Sequence, residues 1–333
     1  MIKPHPFLPS ERTVFPSILQ PIQGDDAILR SRGLPQSQAG RLSLFVGVSR
    51  ACRRLSLCRW LAYSGSPLLL EELLYKPQHS LIDQSLHATL GPHTTNGDGF
   101  GVGWYAEGEA PALYKGTDPA WNDRNLRELS QHIRSGLIFA HVRASTGTPI
   151  QQSNCHPFRH GKWLWMHNGQ IAEFPKLKRE LVMAVDPSLY PHIEGSADSE
   201  VFFFLALTFG LEENPSRAVE RAVAFIEKIA REFGVPHPMR MSVAVSNGET
   251  VWAFRYASIG TPPSLFFSTR VGTLREQFPE VPAFQALSDE ARLIVSEPLG
   301  ERVGAWNEVP ESTCGVVRTG EDELRPFCPT AAA

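Results

Sequence analysis

Several short segments between residues 58 and 198 carry the side chains best suited to chemistry. Cys58 opens the run Cys-Arg-Trp-Leu-Ala-Tyr, and a thiolate is a strong nucleophile. Arg143 ends a mostly apolar run, where its guanidinium needs either solvent or a planar anion. Asn168 and Gly169 are adjacent, so a side-chain amide and a backbone N–H can both donate to one developing negative charge. Asp198 begins an apolar helical run.

Each of these residues also has an ordinary structural explanation. A cysteine is most often a small buried hydrophobic residue, and Arg143 can form a surface salt bridge. An Asn-Gly pair between apolar runs is typical of a hairpin turn, and an aspartate at a helix start is typical of an N-cap. The glycine-rich run NGDGFGVGW at 96–104 matches neither nucleotide-binding pattern and indicates either a tight turn or a backbone that can approach a ligand closely.

The elements that must position these residues are mainly strands. The runs LIFAHVRAS and KWLWMHNGQI predict two strands, the first buried on both faces. The run MSVAVSNGETVWAFRYA predicts two more, joined by a two-residue turn at Asn247 and Gly248. Further strands are expected in SLFFS, ARLIVSE and STCGVVR.

Two helices stand out in the middle of the chain. NPSRAVERAVAFIEKIAREFG has Pro215 just inside its start, Gly234 just past its end and one apolar stripe. DSEVFFFLALTFG is apolar on all sides, so we expect it between layers. Hairpin-paired strands with grouped helices predict an α+β sandwich covered by helices.

Composition limits the class of protein. The 333 residues are 42% hydrophobic, enough for a sizeable core, and no apolar run reaches the roughly 18 residues that span a bilayer. The five cysteines are irregularly spaced, which predicts neither a disulfide framework nor a zinc ribbon. We therefore expect a cytoplasmic globular protein that does not bind a membrane.

Charge is unevenly distributed along the chain. Residues 1–57 carry eight Lys or Arg against three acidic residues, whereas the whole chain has a net charge of −3. The acidic remainder argues against a nucleic-acid-binding protein. A basic tail that binds nucleic acid or a membrane surface is a weaker interpretation of residues 1–57.

The order of the motifs is more informative than any one of them. Cys58, then NGDGFG, HVRAST, HNGQI and DSE, resembles the class II glutamine amidotransferases. CRWLAYSG with the later SEPL and WNEVPE resembles the YafJ- and EgtC-like single-domain branch of that family. The resemblance covers about residues 58–318 and leaves 319–333 as a C-terminal tail.

This resemblance implies the N-terminal nucleophile hydrolase fold, a four-layer αββα sandwich of two antiparallel sheets. It also implies roles: Cys58 as the nucleophile, with Asn168 and Gly169 as the oxyanion hole. Arg143 and Asp198 would bind the carboxylate and ammonium of a γ-glutamyl group. Two further residues of the matched motifs complete the implied substrate site: His141 and His167.

The implied mechanism needs a base for the thiol. A free α-amino group, with a pKa near 7.7–8, is matched to a thiol near 8.5 at neutral pH. Cys58 must then be the first residue of the active protein. Family members generally begin Met-Cys, whereas Leu57 precedes Cys58 here. We therefore expect residues 1–57 to be a structureless extension absent from the mature protein, through either a UUG start codon at position 57 or removal of a propeptide.

The predicted activity is hydrolysis of a γ-glutamyl amide through a γ-glutamyl thioester. The substrate is either glutamine, with ammonia passed to a separate synthase, or a γ-glutamyl peptide or conjugate, with or without a peptidase subunit as partner. A catalytically silent γ-glutamyl-binding protein with a blocked Cys58 is the alternative from another class. No cofactor is expected, and the histidine spacing predicts no metal site.

Overall fold

The structure, a computed structural model, describes residues 58–90, 95–145, 147–318 and 321–329. The prediction that residues 1–57 are an extension absent from the mature protein lies outside this part of the chain. The described residues form two β-sheets and the helices that cover them.

The strands are short and spread along the chain. They are β1 (Arg59–Leu69), β2 (Phe100–Trp104), β3 (Ala112–Gly116), β4 (Arg134–Val142), β5 (Phe158–His160), β6 (Trp163–Ile171), β7 (Met239–Ser246), β8 (Val251–Ala257), β9 (Phe266–Ser268), β10 (Arg292–Val295), β11 (Trp306–Glu308), β12 (Thr313–Arg318) and β13 (Glu321–Pro326).

The α-helices lie in three stretches of the chain, which hold α1 to α3, α4 to α6, and α7 with α8. They are α1 (Leu70–Leu74), α2 (Leu81–His87), α3 (Arg124–Ser130), α4 (Phe174–Met183), α5 (Asp198–Thr208), α6 (Pro215–Glu232), α7 (Val271–Gln277) and α8 (Pro282–Gln285).

Every pair of neighbouring strands in the two sheets is antiparallel. The first sheet has the order β11-β9-β10-β1-β4-β2-β3, and the second has the order β13-β12-β8-β7-β6-β5. Three strands carry most of the candidate site: β1 and β4 lie in the middle of the first sheet, and β6 lies between β7 and the edge strand β5 of the second.

The core has three parts, which define four layers. Trp60 of β1 and Met166 of β6 belong to the apolar cluster between the sheets. Leu61 of β1 packs with α1, α2, α7 and α8 on the outer face of the first sheet. Trp165 of β6 packs with α4, α5 and α6 on the outer face of the second. The predicted αββα sandwich is confirmed.

The two central helices agree with their sequence patterns. Asn214 caps α6 by accepting a hydrogen bond from the Arg217 N–H at 3.1 Å, Pro215 is its first residue, and Gly234 follows its end. Residues 199–206 of α5 are all buried, because this helix packs against β6 and lies beside α4 and α6.

Two predictions about connections and boundaries need correction. The turn between β7 and β8 has four residues, 247–250, rather than two, because the Asn247 side chain accepts hydrogen bonds from the N–H groups of Glu249 and Thr250. Part of the predicted C-terminal tail, residues 321–326, is the edge strand β13 paired with β12. The second sheet therefore extends past residue 318.

Over the described ranges, every helix is too short or too polar to cross a bilayer. The cytoplasmic location stays a prediction.

Candidate active site

Cys58 lies one residue before β1, at the edge of the space between the sheets. The pairing of Arg59 with Val142 sets the start of β1 beside the end of β4. The Cys58 thiol accepts a hydrogen bond from the Ala144 N–H at 3.3 Å and lies 3.5 Å from the Ala144 carbonyl oxygen. Burial raises the pKa of the Cys58 thiol, although the Ala144 N–H and the charge of Arg143 oppose this shift. The thiol therefore needs a base to become a nucleophile.

The main-chain carbonyl of Cys58 is held from two sides. The Asn168 side-chain N–H donates to it from the second sheet, and Arg59 Nη1 donates to it at 3.1 Å. The residue thus joins the two sheets at the point where β1 begins.

Asn168 and Gly169 lie inside β6 and not in a turn. They pair with Ser242 and Met241 of β7, so the hairpin-turn interpretation is wrong. Gly169 has a φ of +140°, and a Cβ there would lie 1.8 Å from the Arg240 carbonyl oxygen. Only glycine fits this backbone. The oxyanion-hole role of the pair stays a prediction.

Arg143 follows β4 and is buried, with an exposed fraction of 4%. Its guanidinium donates to the side-chain oxygens of Thr148 at 2.5 Å and Ser145 at 3.3 Å, and to the carbonyl oxygens of Asp98 and Pro149. The surface salt-bridge interpretation is therefore wrong. A buried guanidinium with neutral partners keeps its charge available for an anion.

Asp198 is the first residue of α5, and its carboxylate ties this helix to the end of β6. One carboxylate oxygen accepts a hydrogen bond from the Ile171 N–H at 2.7 Å, and the other accepts one from the Ser199 N–H at 2.8 Å. Ala197 is the N-cap residue, so the N-cap interpretation of Asp198 is wrong. The carboxylate thus lies two residues past Gly169 along β6.

His141 and His167 point to different layers. His167 hydrogen-bonds to the Ser199 hydroxyl at 2.8 Å and contacts the Phe202 ring, on the helix side of β6. His141 is paired with Trp60 of β1, and its ring packs against the ring of His156 at 4.3 Å between centroids and an interplanar angle of 30°. Asn168 points to the face opposite His167, because side chains alternate along a strand. His167 therefore contacts the start of α5 on the face of β6 opposite to Asn168.

Both predicted histidines are neutral at pH 7. Burial lowers the pKa of His141 to about 3, and the nearby positive charge of Arg143 adds to this shift. Burial also lowers the pKa of His167, although the charge of Asp198 opposes this. Neither ring supplies a second charge to bind an anion.

The glycine-rich segment has a structural use. A Cβ at Gly101 of β2 would lie 2.2 Å from the His156 carbonyl oxygen, so the close backbone approach is made by the chain itself. The preceding Asp98 lies beside Arg143, because the Asp98 N–H donates to the Arg143 carbonyl oxygen at 3.0 Å. Asp98 accepts a hydrogen bond from the Ser145 N–H at 2.7 Å and so fixes the loop after β4.

One pair of residues near Cys58 is absent from the sequence-based site. Arg59, directly after the cysteine, forms a buried ion pair with Glu297. Glu297 belongs to the SEPL motif that carried part of the family resemblance, but its distance of 238 positions from Arg59 hides the pairing. The SEPL motif was the feature of the sequence that could have identified Glu297 as part of the site.

The described residues hold no group of three or more His, Cys, Asp or Glu side chains arranged to bind a metal ion. Cys155 and Cys314 are free and buried, Cys328 is free and exposed, and Cys58 is free and half-buried.

Known proteins resemble most of this chain. A family model described as glutamine amidotransferases class-II matches residues 81–330. The probable glutamine amidotransferase DUG3 of Saccharomyces cerevisiae is 33% identical over 302 residues, which cover 81% of this chain and 84% of that protein. The gamma-glutamyl-hercynylcysteine sulfoxide hydrolase of Mycolicibacterium smegmatis is 32% identical over 117 residues, which cover 34% of this chain and 52% of that protein.

Solved structures agree with the sequence relatives. A glutamine aminotransferase class-II domain protein from Silicibacter pomeroyi is 33% identical, with a TM-score of 0.63, and the match covers 82% of this chain and 100% of that one. The glutamine phosphoribosylpyrophosphate amidotransferase of B. subtilis shares the fold, with a TM-score of 0.55 at 15% identity over 82% of this chain and 50% of that one. The chain therefore belongs to the class II glutamine amidotransferases and is an amidohydrolase of that family.

Proposed function

We propose that this protein hydrolyses a γ-glutamyl amide, with Cys58 as an N-terminal nucleophile. The observation that carries the proposal is the position of Cys58. Its thiol sits against the end of β4, and its carbonyl is bound by the side chain of Asn168 from the opposite sheet. The nucleophile and the predicted oxyanion donor therefore meet at one point.

The α-amino group of Cys58 serves as the base in this proposal. It takes the thiol proton as sulfur attacks the γ-carbonyl carbon of the substrate, and the carbonyl oxygen becomes an oxyanion. The same group then returns the proton to the departing amine, leaving a γ-glutamyl thioester. It next takes a proton from the water molecule that attacks the thioester carbonyl carbon, and it gives this proton to the departing sulfur, so that glutamate and the free Cys58 thiol are released. The raised pKa of the buried thiol makes such a base necessary.

Asn168 and Gly169 act as donors to the oxyanion. The glycine keeps β6 in a conformation closed to other residues, and this conformation is preorganised before substrate binds. Donors that need no rearrangement stabilise the transition state more than the substrate.

Arg143 and Asp198 bind the charged end of the glutamyl group. The buried guanidinium of Arg143 binds the α-carboxylate, and the Asp198 carboxylate binds the ammonium group. His167 holds Ser199 beside Asp198, and His141 lines the space between the sheets as a neutral ring. Their part in substrate binding is to shape the pocket.

The favoured substrate is a γ-glutamyl peptide or thiol conjugate cleaved without a synthase. The relative from Mycolicibacterium smegmatis carries a name that describes such a hydrolysis. The alternative is glutamine, whose ammonia would pass to a separate synthase subunit. The two differ in the leaving amine alone, and the chemistry at Cys58 is the same.

The test uses protein that begins at Cys58, with Cys58→Ala and Cys58→Ser as matched variants. Each is incubated with glutamine and with a panel of γ-glutamyl dipeptides, and free glutamate is measured. The proposal predicts release by the parent protein alone, and formation of γ-glutamyl hydroxamate when hydroxylamine replaces water at the thioester. Equal glutamate release by the parent and Cys58→Ala, or none by either, contradicts it and favours a binding protein.

A further inference from the structure

A buried ion pair lies directly behind the nucleophile. Arg59 Nε is 2.6 Å from a carboxylate oxygen of Glu297, and each side chain is at most 3% exposed. Arg59 is the residue after Cys58 and also donates to the Cys58 carbonyl through Nη1 at 3.1 Å. One guanidinium therefore connects Glu297 to the main chain of the nucleophile.

Glu297 is itself fixed in place by further donors. Its carboxylate oxygens accept hydrogen bonds from the Thr89 N–H at 2.8 Å, the Thr89 hydroxyl at 2.9 Å and the Leu90 N–H at 3.0 Å, and one of them lies 2.6 Å from His79 Nε2. The other ring nitrogen of His79 is 2.8 Å from Asp83 of α2. The carboxylate is thus bound to both the helix layer and the strand.

These contacts keep Glu297 ionised. Burial alone would raise the pKa of its carboxyl, but the hydrogen bond from His79 and the charge of Arg59 outweigh burial and lower the pKa to about 2. The Arg59 guanidinium therefore meets a full negative charge across the neutral pH range, and charge-assisted hydrogen bonds are the strong ones.

Cys58 needs such a support because it lies outside the strand pairing. The first paired residue of β1 is Arg59, opposite Val142. A residue past the end of a ladder frays unless its polar groups are held. The Cys58 carbonyl is held by Asn168 and Arg59 alone among the side chains of the described residues, and Asn168 must also serve the oxyanion.

We propose that Glu297, acting through Arg59, is a positioning residue for Cys58, which it holds in the orientation needed for attack. The inference rests on the proposed function of Cys58 as nucleophile. It assigns a role to the SEPL motif, which lies far from the nucleophile in sequence. A merely structural ion pair is the competing explanation, since buried ion pairs often contribute little net stability.

The experiment compares Glu297→Gln with a control that breaks the ion pair of another arginine of the first sheet. The control is Asp322→Asn, whose partner Arg292 is paired with Ser64 of β1, about 20 Å along the strand from Cys58. Measurements on protein beginning at Cys58 are the folded fraction, kcat and KM for glutamate release, and the rate of Cys58 alkylation by iodoacetamide. Glu297→Asp and Arg59→Lys carry the test if Glu297→Gln does not fold.

The inference predicts that Glu297→Gln lowers kcat per folded molecule roughly 10- to 100-fold, because small misplacements of a reacting group have effects of that size. KM should change less than about threefold. Alkylation should become faster, because the negative charge of Glu297 no longer offsets the effect of the Arg59 charge on the Cys58 thiolate, and because the thiol is held less firmly. Glu297→Asp should recover part of kcat, and Asp322→Asn should match the parent protein.

Two results overturn the inference. One is a kcat per folded molecule within about twofold of that of the parent, either for Glu297→Gln or, where Glu297→Gln does not fold, for both Glu297→Asp and Arg59→Lys. The other is a rate of Cys58 alkylation in Glu297→Gln equal to that of the parent. This rate is measured without substrate. An inactive parent protein would instead contradict the proposed function, so the two failures are distinguishable.

Discussion

Replacing Gly169 by alanine tests how β6 builds the site. The φ of +140° is a backbone conformation that alanine rarely adopts, and such strain costs roughly 1–3 kcal/mol. The added Cβ would also lie 1.8 Å from the Arg240 carbonyl oxygen, a backbone atom that cannot rotate away. Forcing atoms into a packed site costs roughly another 1–3 kcal/mol. We therefore expect the free energy of unfolding to fall by about 4 kcal/mol.

A second glycine gives the matched control. Gly161 has a φ of +53°, but a Cβ there would meet no described atom within 4 Å. Gly161→Ala should lose only about 1 kcal/mol, the strain of the left-handed conformation. Urea unfolding at a common slope measures both variants. If the two alanine variants differ by less than about 1 kcal/mol, the collision with Arg240 is not real and the placement of Asn168 beside Cys58 loses its structural basis.

Further substitutions test the individual roles. Asn168→Ala should lower kcat about 100- to 1,000-fold with little change in KM, because it removes one oxyanion donor. Steady-state glutamate release measures both constants, and an unchanged kcat would contradict the role. Arg143→Lys should raise KM about tenfold or more, since an ammonium cannot reproduce the planar fork of donors, and a normal KM would exclude carboxylate binding there. Asp198→Asn should weaken binding of substrates with a free α-ammonium far more than binding of glutaramic acid, which keeps the carboxylate and the amide but lacks the ammonium. Equal changes in KM for both would contradict ammonium binding by Asp198. The pKa of Glu297 near 2 lies below its unfolded value near 4.3, so its stabilisation is present above about pH 4.3 and lost as pH falls towards 2. The free energy of unfolding of Glu297→Gln, measured in urea, should lack this part of the pH dependence. A pH profile identical to that of the parent would refute the prediction.

Local patterns were sufficient for much of the fold. The proline and glycine at its ends predicted α6 closely, and apolar runs located β4, β6, β7 and β8. The αββα layering came with the family resemblance, and the three apolar clusters of the structure confirm it.

Other features depend on contacts that sequence patterns do not encode. Asn168 and Gly169 resemble a turn locally, yet pairing with β7 keeps them in a strand. Strand β13 is strongly charged and has no apolar alternation, because it is an exposed edge strand. The burial of Arg143 depends on contacts of its guanidinium with Ser145, Thr148 and Pro149. Arg59 and Glu297 meet because β1 pairs with β10, although 238 positions separate the two residues.

The account depends most on the chemical state of the Cys58 nitrogen. The direct measurement compares glutamate release by a chain that begins at Cys58 with release by a chain that keeps Ser56 and Leu57 before it, with intact mass confirming each N-terminus after the assay. We predict activity in the first chain and less than about one hundredth of it in the second, because an amide nitrogen is not a base. Equal activity in the chain whose Cys58 remains in a peptide bond would contradict catalysis by an N-terminal nucleophile.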